Sequence, residues 1–383
     1  MRRVDFLILD ARRISRNLVN EDNTVSISDE EVLRYLNDAK DRLQSLISAV
    51  KANAKIFTVE KIIAAVANQD GYSVPERVFY NKEVQQIEFS ASGGATDYVL
   101  LKKLEMMNRD TASSNYPSGY YRRGNKFYPV PVTETSAGAF RVLFERQLDD
   151  MDKRRGSITA ITGLSTTGFT SITIGSDADE TSSPNLSTID YVCLNSVDGE
   201  VKLYNVPVSS YDSGTNVLTP RTGFVFEEAL TTAQVNGNQA GVTSIVVDSP
   251  GDFAIGDDVE FINQATSLIV LRTVTSVSST AIGISGATVN VNDNDLLYRN
   301  PPVRIGDYVT FHKYSTTHCK APDACEPYLV HYAAESLLHK DSSNDIVRES
   351  RKLQDMEAQI LGQIASQTSE VQFIPELSPN EWW

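Results

Sequence analysis

The spacing of hydrophobic residues changes several times along the chain, and each change predicts a different kind of secondary structure. Residues 28–51 carry apolar side chains at the helical period on one face and charged side chains on the other, which predicts an amphipathic helix. Ser28 and Glu31 have the spacing of a capping box at its start. Its apolar stripe comprises Val32, Leu33, Leu36, Ala39, Leu43, Leu46, Ile47 and Val50. Residues 4–18 predict a shorter helix before it.

Beyond this helix the pattern becomes that of β-strands. Residues 56–67 are compatible with either a helix or a strand, and the sequence NQDG at residues 68–71 predicts a turn. Alternating apolar and polar positions then predict strands at residues 84–89, 98–104, 126–130 and 140–146. This succession predicts an antiparallel β meander with polar loops.

The middle of the chain contains a weak internal repeat. Residues 170–174 resemble residues 243–247. A turn followed by an alternating strand recurs at residues 189–194, 256–261 and 305–311. The repeat predicts two inserted all-β modules, barrels or sandwiches, at residues 156–235 and 236–312. One larger sandwich is the alternative.

The helical period returns in residues 322–366 and predicts a C-terminal helical hairpin. Pro327 suits the first turn of its first helix, and residues 341–345 separate the two helices. The apolar positions are Tyr328, Leu329, Tyr332, Ala333 and Leu337 in the first helix and Ile346, Leu353, Met356, Ile360, Leu361 and Ile364 in the second. The fold class is therefore α+β, with an N-terminal helix, a β meander and a helical hairpin around the β modules. Residues 367–383 form no periodic element, and they end in two tryptophans that we expect to dock on a partner.

Composition narrows the class of protein. Apolar residues make up 41% and charged residues 22% of the 383 positions, as in folded soluble domains. No apolar run approaches the roughly 18 residues that a membrane span needs. Asp5 and Asp10 bracket an apolar run too short for a secretory signal, so we expect a mature cytosolic product whose three cysteines stay reduced.

The charge is unevenly distributed. The formal net charge is −15, and residues 156–300 alone hold 16 Asp and Glu against 4 Lys and Arg. Such a surface repels phosphate, which excludes the β modules as a nucleic-acid-binding surface. The first 16 residues have the opposite balance, with five arginines and two aspartates.

No catalytic motif is present in the sequence. It contains neither a phosphate-cradling glycine loop nor a nucleophile elbow, and none of its four histidines lies in a recognisable catalytic frame. We therefore expect a protein that is not an enzyme and that has no cofactor.

Three groups of residues resemble cation sites, although each has a simpler reading. His331, Glu335 and His339 share one helical face, which we read as a solvated flank. His318, Cys319 and Cys325 lack a fourth ligand for zinc. The acidic turns at residues 177–180 and 292–295 match no defined calcium loop, and polar turns need no ion. No metal site is therefore predicted.

The two outer parts of the chain resemble head-to-tail adaptor (connector) proteins of tailed bacteriophages. The resemblance covers residues 1–152 and 322–366. The order of the motifs along the chain is more specific than any one motif. It rests on LDARR at 9–13, SDEEVLRYLNDA at 28–39, NQDGYSVP at 68–75, YYRRGNKFYPVP at 120–131 and the interrupted helix from Tyr328. The β insertion departs from the compact members of that group.

The resemblance implies a structural virion protein at the head-to-tail junction, assembled in the host cytoplasm. It implies a homo-oligomeric ring, commonly of about twelve copies, that docks on the portal protein and through which DNA passes without specific binding. Ring packing would involve the helix residues Leu33, Leu36, Leu43, Tyr328, Tyr332 and Leu353. The tail would dock on the portal or a neighbouring copy through Phe373, Ile374, Trp382 and Trp383. The insertion would hold tail nozzle or fibre proteins.

Two other functions remain open at this point. A surface carbohydrate-binding (lectin-like) protein would use the β modules, and it would need solvent-facing aromatic residues. Clustering of Tyr204, Tyr211, Phe224 and Phe226 on one exposed face would favour that function. A metal-dependent hydrolase would need a bound metal.

Overall fold

A computed structural model of the chain describes residues 2–16, 27–50, 57–79, 84–94, 97–105, 116–134, 136–175, 189–226, 230–266, 268–340 and 345–367. The chain divides into two compact units. Unit 1 comprises Met1–Asn37 and Asp149–Glu349, and unit 2 comprises Asp38–Leu148 and Ser350–Trp383. The predicted α+β fold class is confirmed, with four α-helices among the described residues and mostly antiparallel strands.

The predicted helices form where the apolar stripes lie. Helices α1 (Val4–Ser15) and α2 (Asp29–Val50) are followed at the other end of the chain by α3 (Glu326–Lys340) and α4 (Ile346–Gln367). The Ser28 hydroxyl accepts a hydrogen bond from the Glu31 amide at 3.3 Å, as the capping spacing predicts. In unit 1, α1 packs against α3, and a 3-10 turn at Asp323–Cys325 leads into α3.

Two four-stranded sheets form the β part of unit 2. The first has the order β1-β8-β3-β4, and the second has the order β2-β7-β6-β5. Their strands are β1 (Thr58–Ala64), β2 (Tyr72–Ser73), β3 (Gln86–Ser90), β4 (Val99–Leu100), β5 (Lys102–Lys103), β6 (Gly119–Arg123), β7 (Lys126–Val130) and β8 (Ala139–Glu145). The pairing of β5 with β6 is parallel, so the meander is not purely antiparallel.

Pairing decides the ambiguous segment at residues 56–67. It forms β1 because each of its residues from Thr58 to Ala64 pairs with one in β8, with Ile63 opposite Phe140. Phe140 lies in a buried aromatic cluster, 4.7 Å from Tyr72 and 5.4 Å from Phe127 between ring centroids. Such pairs contribute about 0.5–1.5 kcal/mol beyond the apolar area that they bury.

The β insertion begins with a closed six-stranded barrel in unit 1. Its strand order is β10-β11-β14-β13-β12-β23. These strands are β10 (Ser157–Thr162), β11 (Ser171–Gly175), β12 (Tyr191–Asn195), β13 (Val201–Asp212), β14 (Val217–Pro220) and β23 (Tyr308–Phe311). The prediction placed residues 308–311 in the second module, whereas they close the first barrel by pairing with β12 and β10. An alternating pattern predicts a strand but not the strand with which it pairs, so the sequence could not show that residues 308–311 belong to the barrel.

The rest of the insertion forms a second β structure with its own hydrophobic core. A six-stranded sheet has the order β15-β22-β18-β19-β20-β17, and β16 pairs with β21 beside it. The strands are β15 (Thr232–Gln234), β16 (Gln239–Val242), β17 (Ser244–Val246), β18 (Asp258–Asn263), β19 (Leu268–Val277), β20 (Ala281–Ile284), β21 (Val289–Val291) and β22 (Leu296–Arg299). The barrel core and this second core are separate clusters of buried residues.

Candidate functional site: the joint between the helices and the β insertion

The two segments at which the chain enters and leaves the β insertion lie side by side in unit 1, and we call this region, residues 149–155 and 315–319, the joint. Strand β9 (Asp150–Met151) enters the insertion, strand β24 (Ser315–Thr316) leaves it, and the two pair in parallel. Asn37 of α2 brackets the entry, because its side-chain amide donates to the Met151 carbonyl at 2.9 Å and accepts from the Met151 amide at 2.7 Å. The insertion is thus held at both crossings.

A partly buried ion-pair network lies directly after the entry strand. Arg155 donates from Nη2 to Oδ1 of Asp152 at 2.6 Å and to Oε2 of Glu30 at 2.9 Å. Oδ2 of Asp152 accepts from the backbone amide of Phe311, a residue of β23, at 2.7 Å. One carboxylate and one guanidinium therefore connect the start of α2, the entry segment and the last barrel strand.

Burial and ion pairing shift the pKa values of this network in opposite directions. Burial raises the pKa of Asp152, and the Arg155 charge opposes that rise. The hydrogen bond from Arg155 lowers the pKa of Glu30. Burial acts to lower the pKa of Arg155, yet the two carboxylates outweigh it and raise that pKa. A guanidinium keeps its charge in such surroundings, and removing Arg155 leaves the Asp152 carboxylate buried without its cation.

Aromatic rings enclose the two arginines of the entry segment. The guanidinium carbon of Arg154 lies 3.8 Å from the centroid of the Tyr308 ring, and that of Arg155 lies 4.5 Å from the centroid of Phe311. Both rings belong to β23, the strand that closes the barrel. These cation–π contacts align the arginines against the barrel wall.

The N-terminal segment bonds to the backbone that follows the exit strand. The Val4 amide donates to the Thr317 carbonyl at 3.0 Å, and the Cys319 amide donates to the Arg2 carbonyl at 2.9 Å. The arginine-rich start of the chain is used largely in ion pairs, since Arg2 lies 2.5 Å from Asp10 and Arg12 lies 2.6 Å from Asp29.

Two further acids lie buried where the second β structure meets the barrel. Glu260 of β18 accepts from the Ile305 amide at 3.3 Å through Oε1, while its Oε2 is buried without a hydrogen bond among the described residues. Oδ2 of Asp307 is also buried without a hydrogen bond among the described residues. Burial raises the pKa of Glu260 to about 8 and that of Asp307 to about 7. Arg304 pairs with Asp258 beside them.

The helix residues predicted for ring packing lie inside the chain. Tyr332 is partly buried, and the other five are buried: Leu33, Leu36, Leu43, Tyr328 and Leu353. A neighbouring copy would therefore contact other residues of these helices. The predicted docking residues Phe373, Ile374, Trp382 and Trp383 lie outside the described residues.

The histidine trio of α3 does not lie on a single solvated flank. His331 is buried, and its Nδ1 lies 2.9 Å from Oε2 of the buried Glu349. His339 is exposed and lies 3.9 Å from Glu335. The reading of His331 as solvated was wrong, because the carboxylate at the start of α4 provides a partner that the sequence does not reveal.

The other cation candidates are also explained by local contacts. Cys319 and Cys325 are buried free thiols, and burial raises the pKa of Cys319 to about 12. Asp293 and Asp295 accept backbone amide hydrogen bonds from Gly237 and Asn292, which close the turn. Residues 177–180 lie outside the described residues. Among the residues with described positions, no three His, Cys, Asp or Glu side chains are grouped to hold a metal ion.

The four aromatic residues that would favour a lectin do not form an exposed face. Phe226 is buried in the barrel core, and Tyr211 and Phe224 pack against that core. The Tyr204 hydroxyl donates to Asp149 at 2.9 Å. The carbohydrate-binding alternative thus lacks the feature by which it would be recognised.

The contacts of the joint were not predictable from local sequence patterns. The run DDMDKRR at residues 149–155 has the composition of a solvated linker, and Glu260 lies in an ordinary alternating strand. The one available signal was the position of this charged run immediately before the predicted insertion.

Comparison with known proteins adds no family. The chain matches no protein-family model, and no curated protein matches its sequence. No helix in the described part of the chain is long and apolar enough to cross a membrane.

Proposed function

We propose that this chain is a structural virion protein, a head-to-tail adaptor that forms a ring, docks on the portal and links the capsid to the tail. The observation that carries the proposal is the contact between the N-terminal segment and the segment that follows the insertion: α1 packs against α3, and the backbone of residues 2–4 bonds to residues 317–319. The segments that resemble phage adaptors thus approach each other in unit 1, with the β modules inserted between them.

The joint supports a mechanical role for the insertion. Strands β9 and β24 pair at the two crossings, and the Arg155 network links the first turn of α2 to the barrel. A module whose entry and exit strands pair, and whose entry segment is fixed by the Asp152–Arg155 ion pair, cannot swing freely on a single linker. Such a module suits a part that positions a tail nozzle or fibre protein.

Exposed apolar side chains supply surfaces for contacts between copies. On α1, Phe6 and Leu9 are exposed, and Val347 at the start of α4 is exposed to 72%. In unit 2, Ile62 of β1 and Val99 of β4 are exposed on the two edge strands of their sheet. Edge strands and apolar patches are typical contact surfaces in assemblies, and a head-to-tail contact that closes on itself produces a ring.

The decisive experiment is the mass of the purified chain in solution, alone and with the portal protein encoded in the same genome. We expect a ring near about twelve copies, or a ring that forms only on the portal. A chain that stays monomeric and ignores the portal would contradict the proposal. Retention of that monomer on a glycan array would instead support the carbohydrate-binding alternative.

A truncated chain tests the tail separately. Deleting residues 367–383 should leave the circular dichroism spectrum unchanged and abolish capture by the portal, because the tail carries both tryptophans. Changing only Trp382 and Trp383 to serine is the matched control, since it keeps the length of the tail. Unchanged capture of the truncated chain would remove the tail from the proposal.

A further inference from the structure

One stretch of this acidic chain is strongly basic. Residues 98–130 hold six Lys and Arg against two Asp and Glu, although the whole chain carries a net charge of −15. Five of these six cations lie on β5, β6 and β7 of the second sheet of unit 2. The basic side chains are therefore fixed on neighbouring strands.

The strand register places Lys102, Arg123 and Lys126 on one face of the sheet. Tyr121 pairs with Tyr128, and Arg123 pairs with Lys126. Lys102 of β5 pairs with Gly119, which lies two residues before Tyr121 and so shares its face. We call this surface the basic face; it comprises Lys102, Tyr121, Arg123, Lys126 and Tyr128.

The opposite side of the sheet is the hydrophobic core. Tyr120 and Phe127 alternate with the residues of the basic face, and both are buried in the aromatic cluster of unit 2. A register slip of one residue would exchange the two sides and bury the charges. The core therefore holds the basic face toward solvent.

The cations of this face are available to a ligand. Lys102, Arg123 and Lys126 are exposed, and among the described residues no carboxylate forms an ion pair with any of them. In contrast, the two arginines within α1, Arg12 and Arg13, pair with Asp29 and Asp10.

The tyrosines of the face limit the kind of recognition. Their ring centroids lie 5.0 Å apart with an interplanar angle of 7°, so the rings stack on each other. Tyr128 also covers Gly71, where an added Cβ would lie 2.8 Å from its Cε1. Because the rings are already stacked and packed, they are poorly placed to accept a nucleobase, whereas phosphate oxygens need only cations and hydroxyl donors.

We propose that the basic face binds the phosphate backbone of double-stranded DNA without reading its sequence. Lys102, Arg123 and Lys126 would contact phosphates, and the acidic β insertion would repel the same backbone and confine contact to unit 2. The proposal does not depend on ring formation, so it can fail or succeed separately from the adaptor function.

The test is binding of the full chain to a fluorescent duplex of about 20 base pairs across a salt series. We expect binding at low salt that weakens steeply as salt rises. The double variant Arg123→Gln/Lys126→Gln should bind at least about tenfold more weakly, and the slope of log K against log salt should fall by about two. A single strand of equal length should not bind more tightly than the duplex.

The matched control removes an exposed arginine and lysine elsewhere in unit 2. Arg351→Gln/Lys352→Gln on α4 should keep DNA affinity within about twofold, with an unchanged salt slope. Equal losses in both double variants, or no binding by the unmodified chain, would overturn the proposal. The proposal would also be overturned if Arg123→Gln/Lys126→Gln bound DNA as the unmodified chain does but had a different mass in solution. That result would indicate that the basic face contacts an acidic surface of a second copy.

Discussion

Gly199 and His318 are in contact so close that no side chain fits between them: a Cβ added at Gly199 would lie 2.0 Å from Nδ1 of His318. Gly199 lies in the turn between β12 and β13, and His318 follows the exit strand of the insertion. The turn of the barrel therefore closes directly on the segment that returns to the helices. At Gly199 the φ angle is +84°, in the region that favours glycine.

Substitution at this contact should destabilise unit 1 in two ways. Gly199→Ala adds strain at a positive φ and a steric clash, and we expect a loss of about 2–5 kcal/mol in the free energy of unfolding. Gly306→Ala is the matched control, because Gly306 has φ of +93° but no atom within 4 Å of its added Cβ. It should cost only about 1–2 kcal/mol. Urea unfolding followed by circular dichroism measures both losses. Equal losses would show that the contact between Gly199 and His318 adds nothing to the cost of the substitution.

Breaking the ionic network at the joint should be costly. Arg155→Met leaves Asp152 buried without its cation, for which we expect a loss of about 3–5 kcal/mol in the free energy of unfolding. Arg221→Met is the control, because Arg221 pairs with Asp190 on the surface and should contribute less than about 1 kcal/mol. The same urea titration distinguishes them. A loss at Arg155 as small as the control would show that the network is solvated.

The buried acids between the barrel and the second β structure should make stability depend on pH. Burial raises the pKa of Glu260 from 4.5 to about 8 and that of Asp307 from 3.8 to about 7. Between the unfolded and folded values the folded chain binds more protons, so stability is full at acidic pH and falls as pH rises through this window. Each group lowers the free energy of unfolding by about 1.4 kcal/mol per pH unit there.

Glu260→Gln removes one of these contributions. We expect the variant to match the unmodified chain near pH 4 and to be more stable at pH 8, because glutamine resembles the protonated acid. Thermal unfolding at several pH values is the measurement, with the exposed Asp252→Asn as control. A variant whose stability falls with pH as steeply as before would contradict the assignment.

The three thiols should resist modification in the folded chain. Burial raises the pKa of Cys193 and Cys325 to about 11 and that of Cys319 to about 12, so the reactive thiolate is scarce at pH 8. A disulfide reagent should release little colour from the native chain and an amount equal to three thiols in denaturant. Rapid reaction of one native thiol would show that its site opens easily.

Local patterns determined the helices and the fold class. The apolar stripe of α2 and the capping pair Ser28 and Glu31 lie within a few turns of one another, so short-range periodicity identifies them. A strand-rich stretch between a helical start and a helical end was also predictable, because turns and alternation repeat along the chain. Residues 56–67 remained ambiguous for the same reason, since their choice of strand depends on β8.

Only the tertiary structure decided which strands and which charged side chains pair with one another. Strand β23 closes a barrel that begins about 150 residues earlier, and the basic face exists only because β5, β6 and β7 are neighbours. The sequence around Asp152 and Arg155 has the composition of a solvated linker. In the structure both residues are buried, Arg155 bonds to Glu30 of α2 and Asp152 bonds to Phe311 of the barrel. The physical reason is that sequence period fixes which way a side chain points along its own element, whereas burial, ion pairing and strand closure depend on segments far away in the chain.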